Sequence, residues 1–295
     1  MESLILTSKT AMQVKVVPGT RVLNMKYKTM QESNMKKILI IIIAISIIVP
    51  VLYGTSYALT AMEIINKSDQ AVRGDSQIAL IEITIKNRRW TRTMKMKTWD
   101  NRVTKKSFSE ILAPKKDAGN RFLMISTEKL MWHYSPDIGK EMKIHPSMML
   151  QSWMGSDFTN DDIVKESSIV EDYTHTLDGK ATMDGHECYM VTLVPKPEAA
   201  VVWGKIIYYA RVNDYLPVKE EFYDQHGKLK KILTCGSFKK MHDRVVPTVY
   251  KMTTLKKRRD EEQKGEEYTM MEIKDVAFNV KIQNSIFSLQ NLKRR

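Results

Sequence analysis

The stretch "IEITIKNRRWTRTMKMKT", residues 81–98, decides the fold. Ile81, Ile83 and Ile85 alternate with Glu82, Thr84 and Lys86. Trp90, Met94 and Met96 then fall at one parity, and Arg89, Thr91, Thr93, Lys95 and Lys97 at the other. Successive side chains of a strand point to opposite faces, so a period of two describes strands with one apolar and one wet face.

The alternation recurs along the chain. Phe122 and Met124 alternate in "NRFLMIS", and Leu130, Trp132 and Tyr134 in "KLMWHY". Strand-like runs also cover 102–112, 169–177, 187–194, 203–213, 216–224, 228–235, 245–254 and 267–278. Turn signals separate many of them: Asp100-Asn101, Asp178-Gly179, Asp184-Gly185, Asn213-Asp214 and His226-Gly227. About eleven strands without alternating helices describe a mainly β protein, one strongly curved antiparallel sheet or an incomplete barrel. Its concave apolar side is expected to carry Trp90, Met94, Met96, Phe122, Met124, Leu130 and Trp132, by parity within each strand.

Two helical patterns interrupt this. Ala61, Ile64, Ile65, Ser68 and Val72 stand at helical spacing behind a Thr60/Glu63 capping box, with Gly74 as a stop. Midway, "HPSMMLQSWMGSDFTNDD" (145–162) holds three Met, one Trp and one Phe but no Lys or Arg. Pro146-Ser147 can open a short helix, and Thr159 with Asp162 caps a second near 160–166. Gly155 lets the backbone turn between them, and Ser156 or Asp157 can accept from the free N–H groups of the second. Met148, Met149, Trp153, Met154 and Phe158 then form a lid on the concave face, or a static plug that completes the core. The mixed-charge run 255–267 reads as a solvated hairpin loop.

Composition bounds the partners. Residues 1–58 hold seven Lys/Arg and two acids, which leaves residues 59–295 with a formal charge of +8 out of the chain's +13. Lys36 and Lys37, the apolar core Ile38–Val49, Pro50 and Ser56-Tyr57-Ala58 have the layout of a secretory signal cut after Ala58. The core is short of the roughly 20 apolar residues that a spanning helix needs. An uncleaved inner-membrane anchor is the second reading. Residues 1–34 read as an upstream extension before a true start at Met35, or as a short tail on an anchored chain. Residues 59–295 are then one periplasmic domain, and export argues against a nucleic-acid partner. Cys188 and Cys235 either pair in an oxidising compartment or sit apart as small buried hydrophobes.

No catalytic or metal constellation stands out. The six histidines form no H-x-x-x-H pair and none lies at ligand spacing from a cysteine; C-x-x-C, G-x-S-x-G and glycine-rich phosphate loops are absent. Glu220-Glu221 reads as a solvated strand face, His133 as a wet-face residue, and "GKIIYYARV" (204–212) as a two-faced strand.

Several stretches together resemble the outer-membrane lipoprotein-sorting proteins of the LolA/LolB-like superfamily, in its larger periplasmic branch. They are "EILAPKKDAGNRFLMIS" (110–126), "LMWHYSPDIGKEMKIHPSMMLQSWMGSDFTNDDIVKE" (130–166), "DGHECYMVTLVPKP" (184–197), "WGKIIYYARVNDYLPVKEEFYDQHGKLKKIL" (203–233) and "IFSLQNL" (286–292). The resemblance implies an unclosed antiparallel β-barrel with helices as a lid over an apolar cavity. It implies a monomeric, non-enzymatic carrier without cofactor or metal, moving acyl chains of lipoproteins or lipids between inner and outer membrane. An inner-membrane transporter of RND or ABC type and an outer-membrane acceptor would be its partners. The alternative is an accessory docking subunit of an RND-type lipid transporter that holds no cargo; a lipid-modifying enzyme with a scattered site is the third class.

Overall fold

The computed structural model describes residues 59–294 except 129, 165–168, 200 and 256–266. The expected extension (1–34), the export signal (35–58) and nearly all of the charged run 255–267 lie outside the described residues. Among the described residues no helix is long and apolar enough to cross a membrane.

Thirteen strands form one antiparallel sheet that does not close into a barrel. They are β1 (Ser76–Lys86), β2 (Thr91–Asn101), β3 (Lys106–Ala113), β4 (Arg121–Ile125), β5 (Leu130–Ser135), β6 (Lys140–Lys143), β7 (Tyr173–Met183), β8 (His186–Pro195), β9 (Lys205–Arg211), β10 (Pro217–Tyr223), β11 (Leu229–Met241), β12 (Arg244–Thr254) and β13 (Tyr268–Phe278). The order runs β6-β5-β4-β3-β2-β1-β13-β12-β11-β10-β9-β8-β7. Two meanders, β1–β6 and β7–β13, thus meet where the last strand pairs with the first. The outer strands are the ones flanking the mid-chain interruption, β6 and β7.

The count exceeds the expected eleven partly because β6 is only four residues long, too short to show a period. Asp178-Gly179 is not a turn: β7 runs through it with a register shift between Leu177 and Gly179. Glycine at φ +120° absorbs that bulge.

Helix α1 (Ala61–Val72) starts with the expected box: Thr60 Oγ1 accepts from Glu63 N–H (3.2 Å) and the Glu63 carboxylate accepts from Thr60 N–H (2.8 Å). Ile64 and Ile65 are fully buried against β9, β10 and β12 residues of the concave face. Gly74 then brings the chain against Asn279; a Cβ there would stand 2.6 Å from the Asn279 side-chain oxygen.

The mid-chain segment forms two 3-10 turns, Pro146–Met148 and Trp153–Gly155, before α2 (Asn160–Val164). Its helices are shorter than the sequence suggests because residues 152–159 fold as a small hairpin. Trp153 N–H donates to Phe158 O (2.8 Å), and Met154 and Gly155 take left-handed φ of 53° and 79°. Residues 284–292 lie on the convex side. The turn Asn284–Phe287 and α3 (Leu289–Leu292) bury Phe287 and Leu292 against Phe108 and Leu123.

Candidate functional site: a roofed apolar chamber

The concave face encloses a cavity of about 330 Å³. Strand parity supplies the floor: Met96 on β2, Met124 on β4, Ile206 and Tyr208 on β9, Phe222 on β10, and Met252, Met271 and Ile273 on β12 and β13. Val72 of α1, Trp153 and Phe158 of the hairpin, Ile163 of α2, and Val201 and Trp203 before β9 supply the roof. These walls are the apolar faces that the elements must bury in any case, so the chamber is the space that two meanders and their four covers leave unfilled.

One end is polar. Asp69 of α1, 5% exposed, pairs with Arg73 at 3.3 Å and with Arg102 from the β2–β3 turn. Gln77, Thr98, Asp100 and Ser107 line the same wall. Midway, the Tyr208 hydroxyl meets Ser68 Oγ at 2.8 Å inside the fold. Burial, and behind it the charge of Glu220, hold the Tyr208 phenol well above its ordinary range, so it stays neutral. Glu220 faces the chamber while Glu221 faces out, where it accepts from Tyr223 Oη at 2.9 Å. The reading of Glu220-Glu221 as a solvated pair is therefore corrected for Glu220: adjacent carboxylates on a strand take opposite faces.

The hairpin is tied down by polar contacts at the other end. Lys231, 7% exposed on β11, donates to Asp157 O (2.6 Å) and to the Asp162 carboxylate (3.0 Å). Asp162 also accepts from Trp203 Nε1 (3.2 Å) and caps its own helix with Thr159. Asp157 N–H donates to Thr269 Oγ1 (2.8 Å), and that hydroxyl donates to the Asp157 carboxylate (2.9 Å). Asp157 thus binds β13 rather than capping α2, as the sequence suggested. The Arg92 guanidinium donates to the Met154 carbonyl. Two indoles line this end, and they differ. Trp203 Nε1 has Asp162, whereas Trp153 Nε1 is buried with no hydrogen-bond partner among the described residues.

Of the expected concave residues, Met96 and Met124 line the cavity, as do Trp153 and Phe158 of the expected lid. Met94 and Phe122 are buried beside it, in one cluster with Trp153; Met148, Met149 and Met154 pack half-buried against that cluster. Three placements are corrected. Trp90 is 43% exposed, at the β1–β2 turn beyond the last paired residue of β2. Leu130 and Trp132 have the opposite parity from the one expected. Met131 is the inward residue, fully buried opposite Met124, and Trp132 packs outward with Phe108 and Leu123. β5 is apolar on both faces because the C-terminal segment covers its outer one. His133 follows Met131 inward, stacked on Phe122 at 4.5 Å, with Nε2 2.7 Å from Asn120 Oδ1.

The β9–β13 half of the chamber and the 201–203 cover were not singled out from sequence. The alternation of Ile206, Tyr208 and Ala210 in "GKIIYYARV" is the signal that finds them. Cys188 and Cys235 are both free and buried. Burial raises both thiols, so neither is a thiolate nucleophile at neutral pH. Among the described residues no group of three or more His, Cys, Asp or Glu side chains could hold a metal ion. Chemically, the chamber can shelter an apolar body and meet a polar group at either end.

A family model described as an uncharacterized protein matches residues 103–294. No curated protein matches the chain. Solved structures of other proteins share the fold. A putative outer membrane lipoprotein-sorting protein domain from Vibrio parahaemolyticus is 22% identical with a TM-score of 0.68, over 79% of this chain and 98% of that one. A DUF1329 family protein from Desulfovibrio piger is 20% identical with a TM-score of 0.68, over 79% and 97%. A LolA superfamily protein from Nitrosomonas europaea is 19% identical with a TM-score of 0.64, over 79% and 100%.

Proposed function

The chain belongs to the family whose model spans residues 103–294 and has the LolA-superfamily fold, and on that premise we propose that it is an exported carrier of acyl chains. Its cargo is a lipid or the lipid moiety of a lipoprotein. The observation that carries this reading is the chamber itself: apolar walls rich in methionine, a roof of separate covers, and a polar end. Each buried CH₂ is worth about 0.8 kcal/mol, so an acyl chain crosses water usefully only when sheltered. Methionine adapts to chains of different length and kink. The Trp153 N–H, without a partner among the described residues, suits an ester or amide carbonyl, the acceptor that an acyl group carries within an otherwise apolar body. Delivery between an inner-membrane transporter and an outer-membrane acceptor is the role this shelter serves.

Native mass spectrometry of protein purified from its own envelope tests the proposal. Bound lipid is expected, with its identity read by fragmentation. Protein that is lipid-free from the envelope and after incubation with diacyl lipids overturns it, and leaves the docking-subunit reading.

A further inference from the structure

Among the described residues, five of the twelve exposed large apolar side chains stand at one margin of the sheet. Trp90 (43% exposed), Leu112 (46%), Ile138 (56%), Leu150 (63%) and Leu255 (41%) stand on or beside its turns and loops. The loops touch one another. The Arg92 guanidinium lies 5.7 Å over Trp90 and 3.7 Å from Asp117 in the β3–β4 turn. A Cβ on Gly119 of that turn would stand 3.6 Å from Pro136 of the β5–β6 turn. Arg88 N–H donates to Glu267 ahead of β13 (3.2 Å). Leu150, Lys86, Asn87, Thr254 and Glu267 border one surface hollow. The opposite margin exposes two large apolar side chains, Val103 in the turn 102–105 (74%) and Val245 beside the β11–β12 turn (44%).

Charge follows the same margin. The turns 87–90, 114–120 and 136–140 carry exposed Arg88, Arg89, Lys115, Lys116 and Lys140 against one exposed acid, Asp137; their other acid, Asp117, is buried beside Arg92. Isolated apolar side chains on a surface need no explanation, but a row of them interleaved with cations is the composition of a bilayer-interface contact. Indole and aliphatic side chains partition to headgroup depth, and cations are drawn to an anionic leaflet.

We propose that this margin docks on the surface of an anionic lipid bilayer, with Trp90, Ile138 and Leu150 seated among the headgroups and the five cations over lipid phosphates. Docking would set the hairpin over the chamber directly against the membrane. Leu150 lies just ahead of that hairpin, and Arg92 joins Trp90 to the Met154 carbonyl. The inference adds a membrane contact to the carrier reading but is measured without cargo, so one can fail while the other stands.

Hydrogen exchange of the full chain decides it, because its readout is local to these turns whatever the rest of the chain does. The probes are vesicles of phosphatidylcholine alone and of phosphatidylcholine with one-third phosphatidylglycerol. Residues 87–92, 112–118 and 136–140 are expected to slow on the anionic vesicles only and to recover in high salt. The double variant Trp90→Ser/Ile138→Ser, changed at exposed positions with unaltered melting, should lower anionic-vesicle protection of these turns about tenfold. Protection of equal size on both vesicles, absence of protection at these turns, or protection unchanged in the double variant overturns the proposal. An acidic protein partner would be left as the occupant of the patch if neither vesicle protects it. Lipid still bound to the double variant in native mass spectrometry would separate loss of docking from loss of carriage.

Discussion

Lys231 is a cation with almost no route to water, and the hairpin over the chamber is what holds it. Its ammonium spans Asp157 O and the Asp162 carboxylate, and Trp203 completes the second acceptor. Replacing Lys231 with Met leaves the largely covered Asp162 carboxylate without its counter-charge, a loss on the order of 3 kcal/mol. The Lys231→Met protein should melt earlier, measured by denaturant titration; an unchanged midpoint would mean that the pair contributes nothing net. On the chamber floor, Met96→Glu puts a carboxylate into an apolar cluster with Met94, Ile111 and Met124. It should cost several kcal/mol or abolish lipid carriage, read by melting and by native mass spectrometry. At this scale the sequence was legible where one face of a strand was wet. Met94 and Met96 stood out against Lys95 and Lys97. In "KLMWHY" both faces are apolar, so parity could not say which one turns inward, and the choice of Leu130 and Trp132 over Met131 failed there. Nothing local to β5 could show that residues 284–292 return to cover it.

Among the elements, the hairpin 152–159 and β5 respond to solution conditions in different ways. The hairpin has few backbone partners outside itself and depends on Lys231, Thr269 and Arg92 for its seat. Segments held by side chains belong to the low-stability end of a fold. Residues 147–158 should exchange amide hydrogens readily in lipid-free protein and more slowly in lipid-loaded protein. Equal, strong protection in both states would make the segment a fixed plug. β5 carries His133, whose pKa is lowered by burial; His175 on β7 is lowered by burial as well, partly offset by its bond to Ile169 O at 2.8 Å. A folded-state pKa below the unfolded one means that the native state favours the neutral ring. That stabilisation is complete above the ordinary histidine value near 6.5 and is lost as pH falls through the window below it, where the unfolded chain takes up protons first. The melting temperature should therefore drop between about pH 7 and pH 5, and His133→Gln should flatten part of the slope. A slope identical in wild type and variant would remove His133 from that account. Element existence was plain from period and capping: Thr60/Glu63 and Thr159/Asp162 both form their boxes. Element length was not, because β6 shows no period over four residues and Gly179 serves a bulge where its sequence suggested a turn.

For the whole molecule, the sequence foretold one curved sheet with covers but not how the two meanders join. The β1–β13 pairing brings residues some 190 positions apart into register, and no local signal encodes it. The chamber exists only because of that pairing, since Met96 and Met124 come from one meander and Tyr208, Phe222 and Met252 from the other. Filling it from one side tests whether the space matters. Thr98→Trp directs a large ring into the cavity from β2 and should block lipid loading while costing about 1–3 kcal/mol of stability. Normal loading by a folded Thr98→Trp protein would mean that cargo sits elsewhere.

The sheet's two outer strands, β6 and β7, leave a seam. A closed barrel has its girth set by strand number and stagger, and can widen only by breaking a ladder. A split ring has no such limit. Its girth depends on how tightly twelve strand pairings bend, and a small unbending shared among all of them opens the gap without parting any pair. On the carrier proposal, the chamber is expected to admit bodies of different girth on the same backbone, with the difference taken up as curvature.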